Sequence, residues 1–243
     1  MNIPLLQDSG ITLDWMRKCR DFSVLKEKDQ WKLMAKIKLI HCEKGEYIWR
    51  YKDQVNAVYL VFNGLVQLYG INSKGTVNTN FFVGERLMFG EFELFAGQNR
   101  CNHAKALSET TLIEIKKHDF LDVVQSDTRY LSWWLKKISS LTFYYCKIRA
   151  QMQGEYADKI ILAGLDLALC SMEMARATMN FSRKHPVRLN ISQEHFSSFI
   201  GLSRQVTNRE LKQLEERGIV SLAYSSITIL DQEAIYELLG GRY

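Results

Sequence analysis

Two periods of hydrophobicity alternate along this 243-residue chain, and the switches between them mark its elements. From Ile40 to Lys116 the apolar residues come in short runs broken by turns. The runs are Ile40–His41, Tyr47–Arg50, Ala57–Phe62, Leu65–Tyr69, Val77–Val83, Lys105–Leu107 and Thr111–Ile115. Short β-prone runs at roughly even spacing predict an all-β sandwich, roll or barrel. Asn63-Gly64, between two of the runs, is a hairpin signal, since both residues tolerate the positive φ of a tight turn. Helical patterning frames the region, with an opening segment over Leu13–Ile37 and a closing one from Lys117.

The period then lengthens. Asp127–Gly154 has no proline and no internal glycine, and Leu131, Trp134, Ile138, Leu141, Tyr145, Ile148 and Met152 follow one another at steps of three and four. Such an a/d seam is what a coiled-coil interface requires, and it predicts a long helix that pairs with a second copy of the chain. The alternative is a helix packed only on its own β domain. Trp133, Leu135 and Tyr144, off the seam, suggest that one face meets the partner and another the roll. A second helix is expected over Tyr156–Ala177, with Gly154 as the hinge before it.

Ile191–Glu216 reads as two short helices joined by a tight turn. Ser192 can cap the first, Phe196, Phe199 and Ile200 form its apolar stripe, and Gly201 ends it. Ser203 can cap the second, with Val206, Leu211 and Leu214 facing inward. Arg217-Gly218 closes that helix, and Ile219–Ala223 and Ser226–Leu230 make a two-stranded wing around Tyr224-Ser225. A last helix runs through Ile235, Leu238 and Leu239. Helix–turn–helix plus wing predicts binding to double-stranded DNA, the second helix entering the major groove by its N-terminal end. Arg204, Gln205, Asn208 and Arg209 lie there, and Arg suits guanine while Gln and Asn suit adenine. Ser192, Gln193, Ser203, Thr207 and Lys212 are the expected phosphate contacts, which set register rather than sequence. The competing reading is a helical hairpin with a solvated face, in a regulatory module that acts on a protein partner.

Charge refines this picture only locally. The whole chain carries +5. Arg183–Gln213 holds six basic residues (Arg183, Lys184, Arg188, Arg204, Arg209 and Lys212) against Glu194 and Glu210, a patch sufficient for phosphate contact. The five cysteines are widely spaced with no C-x-x-C pair, and none of the five histidines stands at metal or catalytic spacing. No nucleophile–base constellation or phosphate-binding Walker loop appears, so an enzyme is not expected. No apolar run is long enough to span a bilayer and no signal segment opens the chain; a cytoplasmic protein without a membrane partner is expected.

Three segments, taken in order, carry a family resemblance: V-Y-L-V-F-N-G-L-V-Q-L-Y from Val58, G-E-F-E-L-F-A-G-Q-N-R from Gly90, and I-G-L-S-R-Q-V-T-N-R-E-L-K-Q-L-E from Ile200. The chain resembles the cAMP receptor protein and fumarate–nitrate regulator (Crp/Fnr) superfamily of bacterial transcription regulators along nearly its whole length. The resemblance implies an α+β protein: a cyclic-nucleotide-binding-like β-roll (jelly-roll) over 1–125, a dimerisation helix over 126–154, and a winged helix-turn-helix over 155–243. It implies a homodimer on DNA and contact with RNA polymerase. In family members that bind cyclic nucleotides, the segment from Gly90 is a phosphate-binding cassette. By that resemblance Gly90 lets the backbone approach the phosphate, Glu91 accepts from the ribose hydroxyl, and Arg100 pairs with the phosphate. Cys101 follows them, and Tyr144 and Tyr145 fall near the adenine.

The sequence departs from that pattern at three places. Cys101 and the bulkier Asn102 stand where a small hydroxyl residue and alanine are usual, Glu93 adds a negative charge beside the expected anion, and Tyr144-Tyr145 could stack on a base or simply fill its pocket. The effector is therefore expected to be cAMP, another cyclic nucleotide, another ligand or none. In the last case the cassette would be a structural turn with Glu91 and Arg100 as a local ion pair. Cys101 could sense oxidants or be an inert thiol.

Overall fold

A computed structural model of the chain describes residues 11–152, 156–175 and 186–240. Two compact units divide it: the first takes most of the chain up to Ser139, and the second takes Ile71–Asn80 together with most of the chain from Ser140.

The first unit opens with three short helices, α1 (Leu13–Arg17), α2 (Arg20–Ser23) and α3 (Glu27–Met34), where the sequence pattern suggested one continuous segment. Met16, Phe22 and Leu33 turn inward from the three pieces, which one straight rod could not do around a curved roll. Eight strands follow: β1 (Lys38–Cys42), β2 (Tyr47–Trp49), β3 (Ala57–Asn63), β4 (Val66–Ile71), β5 (Val77–Val83), β6 (Met88–Phe89), β7 (His103–Ala106) and β8 (Thr110–Lys116). They make two four-stranded sheets, ordered β1-β8-β3-β6 and β2-β7-β4-β5. Between β6 and β7 stands the short helix α4 (Glu91–Ala96), and after β8 comes α5 (Lys117–Ser126).

β3 shows why its sequence is so uniformly apolar. Val61 joins a core shared by both sheets with Trp49, Val66, Leu68, Phe89, Ala104 and Leu112, against which Tyr59 also packs. Val58 and Leu60, on the opposite face, join Ile113 and Ile115 against the helices. A strand buried on both faces reads as a continuous hydrophobic run rather than an alternation.

The Asn63-Gly64 hairpin expectation is wrong. β3 pairs with β8 and β6, whereas β4 pairs with β7 in the other sheet, so Gly64 carries the chain from one sheet to the next. Its φ is +96°, and a Cβ there would meet the Glu109 carbonyl oxygen and Thr110 Cα at 2.7 Å. The glycine is required by that crossing, which leaves the same local signature as a hairpin.

Helix α6 (Thr128–Met152) spans the predicted long segment, and α7 (Ala157–Ala175) succeeds it. Gly154, the expected hinge, lies outside the described residues. The C-terminal elements are β9 (Val187–Leu189), α8 (Gln193–Ile200), α9 (Arg204–Glu216), β10 (Val220–Ala223), β11 (Ser226–Ile229) and α10 (Gln232–Leu238). The wing pairs in the register Val220↔Ile229 to Ala223↔Ser226. It gains a third strand, β9, which the sequence reading missed because three residues are too few to show alternation.

Candidate functional site

Helices α8 and α9 are punctuated as their sequence dictates. The Ser192 hydroxyl accepts from the His195 amide and the Ser203 hydroxyl from the Val206 amide. Gly201 and Gly218 take φ of +74° and +71° where the helices end. Phe196, Ile200, Leu211 and Leu214 are buried, so the two helices share one core and their relative angle is fixed by packing. Gly164 of α7 makes close contact with Ile200 and Phe196, giving α8 a firm backing.

The opposite face of α9 is open. Arg204, Gln205, Arg209 and Lys212 are exposed on it, and Gln193 and Ser192 are half-buried on the neighbouring helix. Arg204 lies 3.9 Å from Glu194, and Arg209 is held by Glu210 through two bonds of 2.9 and 2.7 Å. The Arg204–Glu194 pair is exposed on both sides and screened by solvent, so Arg204 can exchange its carboxylate for another acceptor at small cost, whereas the exposed Arg209 guanidinium is anchored on a buried Glu210. Asn208 is half-buried with its Oδ1 enclosed and unbonded. Thr207, expected on a phosphate, is instead fully buried with an unbonded hydroxyl, and so is not part of the exposed surface. It sits three residues past Arg204, yet turns to the core side with Leu211, four positions on.

The cassette lies in the first unit. Gly90 takes φ +87° at the start of α4, and α4 ends at Gly97 with φ +64°. Arg100 is buried. Its Nη1 donates to the Gly90 carbonyl at 2.8 Å, its Nη2 to the Ala57 carbonyl at 2.6 Å, and its guanidinium lies 3.9 Å over the Trp49 ring. The expected Glu91–Arg100 ion pair does not form. Arg100 Nη1 reaches Glu93 at 3.4 Å, while Glu91 faces Lys137 of α6 at 3.8 Å. Residues two apart on a helix point to different sides, so Glu91 and Glu93 are served by different cations. Lys137 is bound more firmly by Asp21 of α2, at 2.8 Å from both carboxylate oxygens.

Burial governs the titration of these groups. Glu91 has its pKa pushed up to about 7 by burial, with Lys137 opposing and Asp21 reinforcing the rise. Its Oε2 has no hydrogen-bond partner. The Cys101 thiol donates to Glu93 Oε1 at 3.1 Å, and its pKa is pushed up to about 11, first by desolvation and then by that carboxylate. Desolvation and the neighbouring carboxylate both disfavour the thiolate, the form that oxidants attack. Trp49, Lys137 and Asp21 were not singled out in the sequence, because nothing local ties them to Gly90 or Arg100. The side chain of Tyr144 lies outside the described ones, and Tyr145 is exposed on α6.

Part of the seam expected along α6 turns into the chain's own core. Trp134 does not face a partner: it is 1% exposed and packs edge-on against Phe120, Tyr130 and Trp133, with ring centroids 5.5, 6.1 and 5.1 Å away. Ile138 also packs on the chain's own core, and Leu141 is half-buried. The exposed apolar residues are Leu131 (47%), Leu135 (68%) and Phe143 (72%). Trp134 and Ile138 thus belong to the chain's own core, while Leu131 and Tyr145 of the expected seam stay exposed. Ile148 and Met152 lie where side chains are outside the described ones.

A β-roll joined through a long helix to a winged helix-turn-helix defines a DNA-binding transcription regulator with a regulatory domain of the cyclic-nucleotide-binding kind. Residues 39–127 match the cyclic nucleotide-binding domain family, and residues 167–238 match the Crp-like helix-turn-helix domain family. The chain is similar to a cyclic AMP receptor protein of Thermus thermophilus, 24% identical over 204 residues that cover 82% of this chain and 86% of the relative. It is also similar to the nitrogen fixation regulation protein FixK of Azorhizobium caulinodans, 26% identical over 76% of this chain and 73% of that one. Among solved structures, FixK2 of Bradyrhizobium japonicum shares the fold with a TM-score of 0.69 at 18% identity, covering 85% of this chain and 99% of that one. The chain belongs to the Crp/Fnr superfamily of transcription regulators. No helix among the described residues is long and apolar enough to cross a membrane.

Proposed function

We propose that the protein is a homodimeric, sequence-specific regulator that reads the major groove through the first turns of α9. The observation that carries this reading is a helix capped by Ser203 whose exposed face presents Arg204, Gln205 and Arg209 while its other face is locked in the core. Arg204 and Arg209 take guanine edges and Gln205 an adenine. Ser192, Gln193, Ser203 and Lys212 contact phosphates, and Asn208 reaches a base only if its enclosed amide turns outward. The dimer forms through the exposed Leu131, Leu135 and Phe143 of α6, supported by Leu141 and Tyr145. Two α9 helices related by a two-fold then meet half-sites about one helical turn apart. On DNA the regulator works with RNA polymerase, in the cytoplasm.

The test is a binding selection on random duplexes followed by titration of Arg204→Ala on the selected site. That variant should lose about 1–3 kcal/mol and relax preference at one base pair in each half-site. An equal loss on every duplex would make Arg204 a phosphate contact. Failure to enrich any palindrome would favour a module that acts through a protein partner instead.

A further inference from the structure

The residues that would hold a cyclic nucleotide in this cassette are present, and their arrangement does not fit one. The Gly90 carbonyl and both terminal nitrogens of Arg100 are already bonded within the chain, and Arg100 Nε is buried without a partner. Glu91, the acceptor a ribose hydroxyl would need, is buried on the side of Lys137. A second carboxylate has come to the arginine. Glu93 Oε2 receives Arg100 Nη1 at 3.4 Å, and Glu93 Oε1 receives the Cys101 amide at 3.4 Å and the Cys101 thiol at 3.1 Å. A guanidinium and a backbone amide converging on two oxygens of one anion are what a phosphoryl group would ask of the same loop.

We infer that Glu93 is the cassette's built-in anion: its carboxylate stands where a phosphoryl group would stand and keeps the cassette closed without a nucleotide. An incoming phosphate would have to eject Glu93 and leave a buried carboxylate without its cation, which is strongly unfavourable. The competitor is also tethered, so its effective concentration far exceeds that of a free metabolite. Trp49 adds to the closure by stacking on the guanidinium and packing against Tyr59 and Phe89, with centroids 5.7 and 5.2 Å away. Control through this cassette by a cyclic nucleotide is thereby excluded by one side chain, two residues beyond the glutamate that the family pattern would have bind the sugar.

The full-length protein should be titrated with cAMP in a calorimeter, wild type beside Glu93→Ala, with thermal melts showing that both are folded. The wild type should give no saturable heat. Glu93→Ala should bind saturably, about tenfold to a hundredfold tighter than any residual wild-type affinity, the worth of one freed charge-assisted contact. Saturable binding by the wild type overturns the inference, and so does a folded Glu93→Ala that gains nothing. The near-isosteric Glu93→Gln supplies a second readout should the alanine variant fail to fold. Losing the carboxylate should lower the Cys101 thiol pKa and speed its alkylation severalfold near pH 9, read by peptide mass spectrometry with the exposed Cys146 as internal reference. An unchanged Cys101 rate would show that Glu93 does not hold the loop. None of these outcomes bears on the DNA reading, which the duplex titration tests separately.

Discussion

Replacing Glu91 by glutamine should stabilise the protein above neutral pH and leave it unchanged in mild acid. Glu91 is fully enclosed, its Oε2 is unbonded, and Lys137 stands 3.8 Å away, already committed to Asp21. Burial therefore outweighs attraction, and the pKa rises from 4.5 to about 7 in the folded chain. A carboxylate with a raised folded pKa binds its proton more tightly when folded than when unfolded. Stability is then largest below the unfolded value, falls as pH climbs through the interval between the two, and is level above it. At about 1.36 kcal/mol per unit, that interval corresponds to roughly 3 kcal/mol. Glutamine mimics the protonated form, so the variant should match the wild type near pH 4, below the unfolded value, and exceed it by about 3 kcal/mol at pH 8. Urea unfolding followed by tryptophan fluorescence across this range measures the difference directly, and other titrating groups cancel between the two proteins. Parallel curves, or a wild type that is the more stable at pH 8, would refute the account of Glu91 as a buried, poorly paired acid.

Three further substitutions separate the exposed face of α6 from the cores. Leu135→Asp combined with Phe143→Asp should convert the proposed dimer to monomer in sedimentation velocity. Trp134→Ala should instead lower stability by about 3–5 kcal/mol through a core cavity while the association persists; the reverse result would restore Trp134 to the interface. Gly164→Ala would drive a methyl group into Ile200 and to 3.3 Å from Phe196 Cζ, both buried. It should cost about 1–3 kcal/mol in thermal or urea unfolding of the C-terminal unit, because a β-branched neighbour cannot swing aside. A neutral Gly164→Ala would mean that α7 and α8 separate freely.

Much of the DNA-reading half was legible in the sequence, because its determinants are local. Ser192, Gly201, Ser203 and Gly218 act on backbone groups within a few residues of themselves, and the wing's two strands are joined by a tight turn. Caps, turns and short apolar periods need no knowledge of the rest of the chain. Local signals failed where a distant partner decided the outcome. Asn63-Gly64 looked like a hairpin, and only the pairing of β3 with β8, some fifty residues away, shows it to be a crossing between sheets. The apolar pattern of α6 gave its helix, but that Trp134 packs into its own core was decided by Phe120 and Tyr130.

The cassette divides the same way. Its glycines, acids and arginine are written in one short segment, and the sequence alone determined that a loop of the family's cassette pattern stands there. Which acid meets the arginine was decided by tertiary structure. Helix α4 turns Glu91 toward Lys137 and Asp21, from elements before and after it in the chain, and turns Glu93 toward Arg100. The energy of a buried charge depends on every group that surrounds it, and those groups come together only when the chain has folded.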